Sequence, residues 1–206
     1  MHALAIHTSS PELGLALMSE GEISRHQVWP FARDLASHLQ LCLMEFLQGQ
    51  PWADLTFLAV AVGPGGFTGT RIGVVAARTL AQQLNIPLFG ISSLAAVAES
   101  QRQELAADIP VHLAVEMQAQ RGELFGSIYE LTQAGLVAHE CDGIFTPTAW
   151  AETLAAWPYP YRPVTATGGL AHTAPQVLTL AHRDWLAGKA STWAEVLPFY
   201  GQHPVE

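Results

Sequence analysis

The sequence predicts an α/β protein of two similar lobes, each with a mixed sheet flanked by helices. Apolar runs of strand length alternate with longer segments in which apolar residues recur at helical spacing. The order of three strands, a helix, a strand and a helix occurs twice, before and after a short connector that ends at Pro110. We therefore expect a first lobe over residues 1–105 and a smaller, degraded second lobe over residues 106–206.

The first lobe begins with three antiparallel strands and a helix. Residues 3–8 form an apolar run, and residues 13–17 alternate between leucine and small side chains. A tight turn at Glu20-Gly21 leads into a polar strand over residues 22–28, whose composition favours an edge position. A helix over residues 34–48 follows, with apolar side chains along one face.

A glycine-rich turn stands at the centre of the first lobe. The continuous apolar run over residues 57–62 predicts a strand that is covered on both faces. The turn leads into a helix that extends to about Leu84, with Thr68 as its predicted N-cap. A strand over residues 88–91 and a helix over residues 92–103 complete the lobe.

The second lobe partly repeats this order. Its predicted elements are strands over residues 111–116, 123–131, 136–142 and 164–167 and helices over residues 147–156 and 174–185. Thr146 followed by Pro147 marks the start of the first of these helices. The order of elements in each lobe is that of the actin-like (ribonuclease-H-like) fold, which serves many different functions.

Composition and charge limit the classes of function. Half of the residues are apolar and 13% are charged, as in globular proteins. The apolar runs are shorter than the roughly 18 residues of a membrane span, and no basic, hydrophobic leader is visible. We therefore expect a cytoplasmic protein without a membrane partner. The net charge of −9 and the lack of a basic stripe indicate that RNA would be held mainly by a partner.

The glycine-rich turn does not fit the usual phosphate-binding motifs. A Walker loop needs a lysine beside its last glycine, whereas the only lysine of the chain is Lys189. A dinucleotide-binding turn that began at Gly63 and Gly65 would place its third glycine at Thr68. Both nucleotide motifs therefore fail.

Small residues recur every four positions along the helix that follows the turn. Gly69, Gly73, Ala77 and Ala81 therefore share one side of that helix. Such a ridge allows another backbone to approach closely, either within the lobe or from another chain. The spacing leaves both interpretations open.

Two segments resemble the signature of the TsaB (YeaZ) family. They are residues 63–73, GPGGFTGTRIG, and residues 87–94, PLFGISSL, while residues 4–10 and 120–125 resemble family positions more loosely. The resemblance implies a non-catalytic partner of the transferase TsaD in forming N6-threonylcarbamoyladenosine on tRNA. It also implies a TsaE-like ATPase as a further partner, contact with tRNA only through the partners, and ATP only at the level of the complex.

The resemblance further implies an interface with TsaD that is built from helix pairs. In this chain the two helices are those over residues 35–47 and 69–80, with small residues for close approach and leucines for apolar area. The same surface could pair with itself in a homodimer of the isolated chain. The expected interface residues are Leu39, Leu43, Leu47, Gly69, Arg71, Gly73, Ala77 and Leu80.

Four residues mark a possible vestigial nucleotide site. His7 and Thr8 end the first strand, where actin-like enzymes carry a metal-positioning aspartate, and imidazole is a poor ligand for magnesium. Gly168 and Gly169 fall at the second glycine turn of the fold. The alternatives are a histidine satisfied by hydrogen bonds at a strand end and a turn that needs glycine for its conformation. We expect no intrinsic cofactor.

Two rival functions remain at this stage, an actin-like ATPase or kinase and a metallopeptidase-like protein. The metal-binding His-x-x-x-His pair of TsaD does not occur in this chain. His112 and Glu116 could share a strand face, but no third ligand is evident, so we expect neither a metal site nor catalytic residues. Aromatic residues alternate with prolines over residues 157–162, which favours a stiff loop covering the second lobe over a platform for stacking bases.

Overall fold

The computed structural model describes residues 1–105, 108–199 and 201, and over these ranges the chain forms two β-sheets and five α-helices. The strands of the first sheet are β1 (His2–His7), β2 (Leu13–Ser19), β3 (Glu22–Trp29), β4 (Leu55–Ala61) and β5 (Leu88–Ile91). Their order is β3-β2-β1-β4-β5, in which β1 is antiparallel to β2 and parallel to β4. The polar third strand lies at an edge, as its composition predicts.

Helices α1 (Leu35–Phe46) and α2 (Phe67–Leu84) cover the same face of this sheet. Their buried faces pack on leucines of β1, β2 and β4, so the amphipathic pattern predicts both helices to within two residues at each end. The predicted N-cap of α2 is wrong. The helix begins one residue before Thr68, and Gly66 occupies the N-cap position without a side-chain bond.

The second sheet repeats the first with one strand fewer. Its strands are β6 (Val111–Gln118), β7 (Leu124–Leu131), β8 (Leu136–Phe145) and β9 (Tyr161–Thr165), in the order β8-β7-β6-β9. Helix α4 (Pro147–Ala156) covers one face, and the Thr146 hydroxyl accepts its capping bond from the Ala149 amide at 3.1 Å. The two sheets together form the duplicated actin-like (ribonuclease-H-like) fold.

Each of the remaining two helices packs on the sheet of the other lobe. Helix α3 (Ser93–Ser100) follows the first sheet in sequence but packs on β6 and β7. Helix α5 (Ala174–Leu186) follows the second sheet but packs on the first one, around Phe57. Each of these helices thus lies in the range predicted for one lobe and packs on the sheet of the other, because a helix's own periodicity does not say which sheet it covers. Ala106 and Ala107 lie outside the described residues.

A buried carboxylate holds α3 and α5 together. The side chain of Glu99 is 3% exposed and accepts a hydrogen bond of 2.9 Å from Nη2 of Arg102. Nη1 of Arg183 on α5 lies 2.9 Å from the same carboxylate. Within the described ranges, every helix is too short or too polar to cross a lipid bilayer.

Candidate functional site

A cleft of about 720 Å³ opens between the two lobes. The first lobe contributes the turn after β1, at Ser9 and Ser10, and the glycine-rich turn before α2. The second lobe contributes the end of β6, including Glu116, and residues 165–168 after β9. The C-terminal segment closes one side with Phe199. This is the place where the ends of corresponding strands in the two lobes face each other.

The glycines of the central turn are required by contacts inside the first lobe. A Cβ atom on Gly65 would lie 2.1 Å from the Ser9 carbonyl oxygen, and the Gly66 amide donates a hydrogen bond of 2.7 Å to that same oxygen. A Cβ on Gly69 would lie 2.3 Å from the Thr8 carbonyl oxygen, and one on Gly73 would lie 2.1 Å from the Thr8 hydroxyl oxygen. The glycines therefore allow α2 and its preceding turn to pack directly on the end of β1.

This packing corrects the predicted partner interface. Gly73 and Ala77 are buried against the first sheet. Gly69, on the same side of α2, faces the Thr8 carbonyl oxygen at the end of β1. The small residues therefore allow α2 to approach the end of β1 closely within the first lobe. This is the intramolecular interpretation of their spacing.

The leucines predicted for the interface are also turned inward. Leu39, Leu43 and Leu47 are 3–4% exposed in the core beneath α1, and Leu80 is half-buried against the same core. Arg71 is the one predicted interface residue with an exposed side chain, and its guanidinium lies 3.7 Å from the centroid of the Phe67 ring.

The outer faces of α1 and α2 carry three large apolar side chains of a different set. Leu41 and Met44 of α1 are 54% and 66% exposed, and Val75 of α2 is 61% exposed. These residues point away from the core that the inner faces build. We name Leu41, Met44 and Val75 the apolar outer face of the helix pair.

The structure brings few of the predicted vestigial residues to the cleft. Gly168 lines it, whereas His7 and Thr8 are fully buried behind it. Gly169 has φ +78°, in the left-handed region, where it starts the turn to residues 170–173. The backbone conformation at position 169 therefore favours glycine.

His7 is a neutral, buried side chain. Burial, with a smaller effect of His172, lowers the pKa of its imidazole to about 3. Its Nδ1 accepts a hydrogen bond of 3.4 Å from the Ser9 amide. Its Nε2 is buried without a hydrogen-bond partner among the described residues, so one of the two ring nitrogens is hydrogen-bonded within the protein. His7 is fully buried and does not line the cleft, and imidazole is a poor ligand for magnesium, so this residue does not replace a metal-positioning aspartate there.

The electrostatics of the cleft do not favour a polyphosphate. Among the residues that the structure describes, no lysine or arginine lines it, and Glu116 is its single charged side chain. The Glu116 carboxylate accepts a hydrogen bond of 2.7 Å from Trp150 Nε1, so its partner is the helix α4 and not His112. Phosphate sites normally combine free backbone amides with cationic side chains.

The C-terminal segment is the part of the site that the sequence did not reveal. The Phe199 amide donates a hydrogen bond of 2.7 Å to the Val62 carbonyl oxygen, and its ring packs against Phe125 at 6.2 Å between centroids. The segment thus joins the two lobes across the cleft. Ser9 and Ser10 were also not predicted as lining residues, although they belong to residues 4–10, which loosely resemble family positions.

Two actin-like halves around a cleft define a member of the actin-like class of proteins. Residues 32–148 match the family model described as TsaD: tRNA N6-adenosine threonylcarbamoyltransferase. This match covers more than half of the chain, which therefore belongs to that family, and its relatives place it in the TsaB (YeaZ) group.

The relatives include two tRNA threonylcarbamoyladenosine biosynthesis proteins TsaB. The protein of Bacillus subtilis (strain 168) is 33% identical over 132 residues, which cover 63% of this chain and 56% of that protein. The protein of Escherichia coli (strain K12) is 28% identical over 139 residues, covering 66% and 58%. The chain thus matches less than two thirds of the length of either relative.

A solved structure extends the likeness to nearly the whole fold. YeaZ from Pseudomonas aeruginosa superposes with a TM-score of 0.79 at 25% identity, over 97% of this chain and 99% of that one. The divergent last part of the chain therefore keeps the architecture of the group although its sequence has drifted.

Proposed function

We propose that this chain is a non-catalytic partner of a TsaD-like transferase in forming N6-threonylcarbamoyladenosine on tRNA. Its membership of the family and the names of its relatives support this proposal. The chemistry of the cleft supports the non-catalytic part, since a neutral buried His7 and a cleft without cationic side chains among the described residues offer little to a nucleotide.

The observation that carries the proposal is the apolar outer face of the helix pair. Leu41 and Met44 are three residues apart on α1 and therefore adjacent on its surface, and an exposed apolar patch often marks a surface that a partner covers. Leu41, Met44 and Val75 lie on α1 and α2, and burying them would contribute about 25 cal/mol per Å² of apolar area. Arg71 and Arg78 lie on the same helix as Val75 and would order the rim. This face replaces the ridge of small residues as the proposed interface with the transferase.

Other partners follow from the same proposal. ATP would act at the level of the complex, through a TsaE-like ATPase and the transferase. The tRNA would be held mainly by those partners, because this chain carries a net charge of −9. In the absence of the transferase, the apolar outer face could pair with itself in a homodimer.

Reconstitution of the modification tests the proposal. Purified TsaD-like and TsaE-like proteins of the same organism would be incubated with tRNA, ATP and the threonylcarbamoyl donor, with and without this chain. We expect threonylcarbamoyladenosine to accumulate only when the chain is present. Full modification without it would reject the proposed role.

The same preparation separates the rival functions. Calorimetry of the isolated chain with ATP and magnesium should show no binding, whereas an ATPase or kinase would bind the nucleotide. A metallopeptidase-like protein would instead cleave a peptide library on its own, which we do not expect.

A further inference from the structure

A cluster of potential metal ligands lies on the second sheet, away from the cleft. His112 of β6, Glu130 of β7 and His139 of β8 each offer one ligand atom, and these atoms all lie within 4.8 Å of one another. The cluster is four residues along β6 from Glu116, which corresponds to roughly 13 Å of strand. It is therefore separate from the site described above, and it is unrelated to the apolar outer face of the helix pair.

Strand pairing brings the three side chains together. His112 and Glu130 are directly opposite each other in the antiparallel pair of β6 and β7, so their side chains share a face. The register between β7 and β8 shifts next to Tyr129, and His139 is the residue of β8 that has no opposite partner there. A bulge of this kind re-aims a side chain, and here it directs the imidazole of His139 to the Glu130 carboxylate at 2.9 Å.

The cluster contains an unsatisfied polar atom. Nδ1 of His112 is buried and has no hydrogen-bond partner among the described residues. Such an atom in a folded protein is normally explained by a water molecule or an ion. The ligand atoms of Glu130 and His139 lie within 4.8 Å of the ligand atom of His112, so an ion between the three residues could be bound by all of them.

Aromatic rings hold the two imidazoles in place. Tyr159 stacks on His112 with an interplanar angle of 4° and a centroid distance of 4.8 Å. Trp157 packs edge-on against both His112 and His139, at 5.6 and 5.5 Å between centroids. Both aromatic residues belong to the stiff loop after α4, so this loop forms one wall of the cluster. Imidazole rings that are packed in this way lose little further conformational freedom when their nitrogens bind an ion.

Two imidazoles and one carboxylate form a donor set that suits zinc and the neighbouring borderline metals. Zinc binds nitrogen and oxygen ligands at about 2.0–2.2 Å, so tetrahedral ligand atoms lie about 3.3–3.5 Å apart. The Glu130–His139 separation is 2.9 Å, and no ligand pair exceeds 4.8 Å, so a movement of about 1 Å suffices. Magnesium and calcium prefer sites made of oxygen ligands alone.

We propose that His112, Glu130 and His139 form a binding site for a zinc-class divalent cation. The fourth coordination position would be left to water, and Trp157 and Tyr159 form the wall around the ligands. A bound ion would link three adjacent strands of the second sheet to the loop after α4, and so it would stabilise the second lobe. This proposal does not rest on the proposed function, and neither one's failure affects the other.

Zinc titration of the full, untagged chain tests the proposal. After treatment with a chelator, the chain is titrated with zinc chloride by isothermal calorimetry, and its melting temperature is measured with and without one equivalent of the ion. We expect one zinc ion per chain and a higher melting temperature, because an ion that binds only the folded state stabilises it.

Two variants assign the ligands, and a third serves as the control. Glu130→Gln keeps the shape of the side chain, and His139→Asn changes a partly exposed residue, so both variants should stay folded, as checked by circular dichroism. Each should weaken zinc binding at least about tenfold, since even outer-shell changes at metal sites cost that much. His38→Asn, on α1 and outside the cluster, should bind zinc like the wild type. Absence of stoichiometric binding by the wild type, or undiminished binding by either cluster variant, would overturn the proposal.

Discussion

The Thr8 hydroxyl donates a hydrogen bond of 2.8 Å to the carbonyl oxygen of Gly69. This bond joins the end of β1 to the first turn of α2, and it exists only because Gly69 and Gly73 carry no side chain on the facing side. The glycines of residues 63–73, which resemble the family signature, thus serve packing within the first lobe. Its small residues bring the helix onto the strand, and the outer side of the same helix remains for other contacts.

Substitution of Gly73 should therefore destabilise the fold. A glycine-to-alanine change inside an exposed helix normally stabilises by about 1 kcal/mol, but here the new methyl group would lie 2.1 Å from the Thr8 hydroxyl oxygen. Overpacking costs about 1–3 kcal/mol and should outweigh this gain, so we expect a net loss of up to about 2 kcal/mol in urea unfolding of Gly73→Ala.

A double-mutant cycle identifies the cause of that loss. In a Thr8→Ala background, the same Gly73→Ala change should cost less, because the clashing hydroxyl is gone. Gly168→Ala, at a position with open space around the added methyl group, is the matched control and should change stability little. Equal losses with and without the Thr8 hydroxyl would contradict this explanation.

The buried carboxylate between α3 and α5 should be more important for stability than a surface ion pair. Glu99→Gln would leave the guanidinium groups of Arg102 and Arg183 without their counter-charge. Both arginines keep some solvent contact, so we expect a loss near the lower end of about 3–5 kcal/mol in urea unfolding.

The control for this prediction is Asp184→Asn, which removes the exposed partner of Lys189. That change should cost less than about 1 kcal/mol. Similar losses for the two variants would show that the Glu99 contacts do not hold α3 and α5 together.

His7 should make the folded state sensitive to mild acid. Its pKa falls from 6.5 to about 3 on folding, so the unfolded chain binds the proton more readily. The stabilisation is complete above pH 6.5 and is lost as the pH falls towards 3. This difference in pKa between the folded and unfolded chain implies that His7 alone removes about 2 kcal/mol of stability between pH 6.5 and about pH 5.

Urea unfolding of His7→Asn at neutral pH and near pH 5 measures this contribution. The variant should lose less stability on acidification than the wild type, whereas His38→Asn should behave like the wild type. An unchanged pH dependence in His7→Asn would show that this imidazole is not the responsible group. Because carboxylates also titrate in this range, the comparison between variants is the informative quantity.

Local patterns predict most elements of this fold. The helix α4 begins at the residue that the Thr146-Pro147 pair indicates, and β5 has the predicted bounds of Leu88 and Ile91. These elements are fixed by capping and by apolar runs that are visible within a few residues. The duplicated order of strands and helices then determines the class of fold.

The orientation of faces was harder to predict, for a physical reason. The spacing of Gly73 and Ala77 requires a close neighbour but does not say whether it is β1 or another chain. Helical periodicity does separate Leu43 from its neighbour Met44: the apolar stripe of α1 predicts Leu43 on the face toward the sheet, where it is buried, and Met44 is 66% exposed. The periodicity does not say whether a further apolar residue outside that stripe meets a partner.

The spacing of residues in the sequence does not predict which side chains meet between neighbouring strands. Strand periodicity pairs His112 with Glu116 on the same strand, whereas the residues beside it are Glu130 and His139 on other strands. Their approach depends on the pairing register and on a bulge in β8. No periodicity within one strand contains that information.

The most direct test of the central claim is the affinity of this chain for the TsaD-like transferase of its own organism, measured by calorimetry. Met44→Glu and Val75→Glu place a charge on the apolar outer face of α1 and of α2, while Leu186→Glu places the same charge on an equally exposed side chain of α5. The account predicts that both outer-face variants stay folded and bind at least about tenfold more weakly, which corresponds to about 1.4 kcal/mol, whereas Leu186→Glu binds like the wild type. Wild-type affinity in both outer-face variants would contradict it.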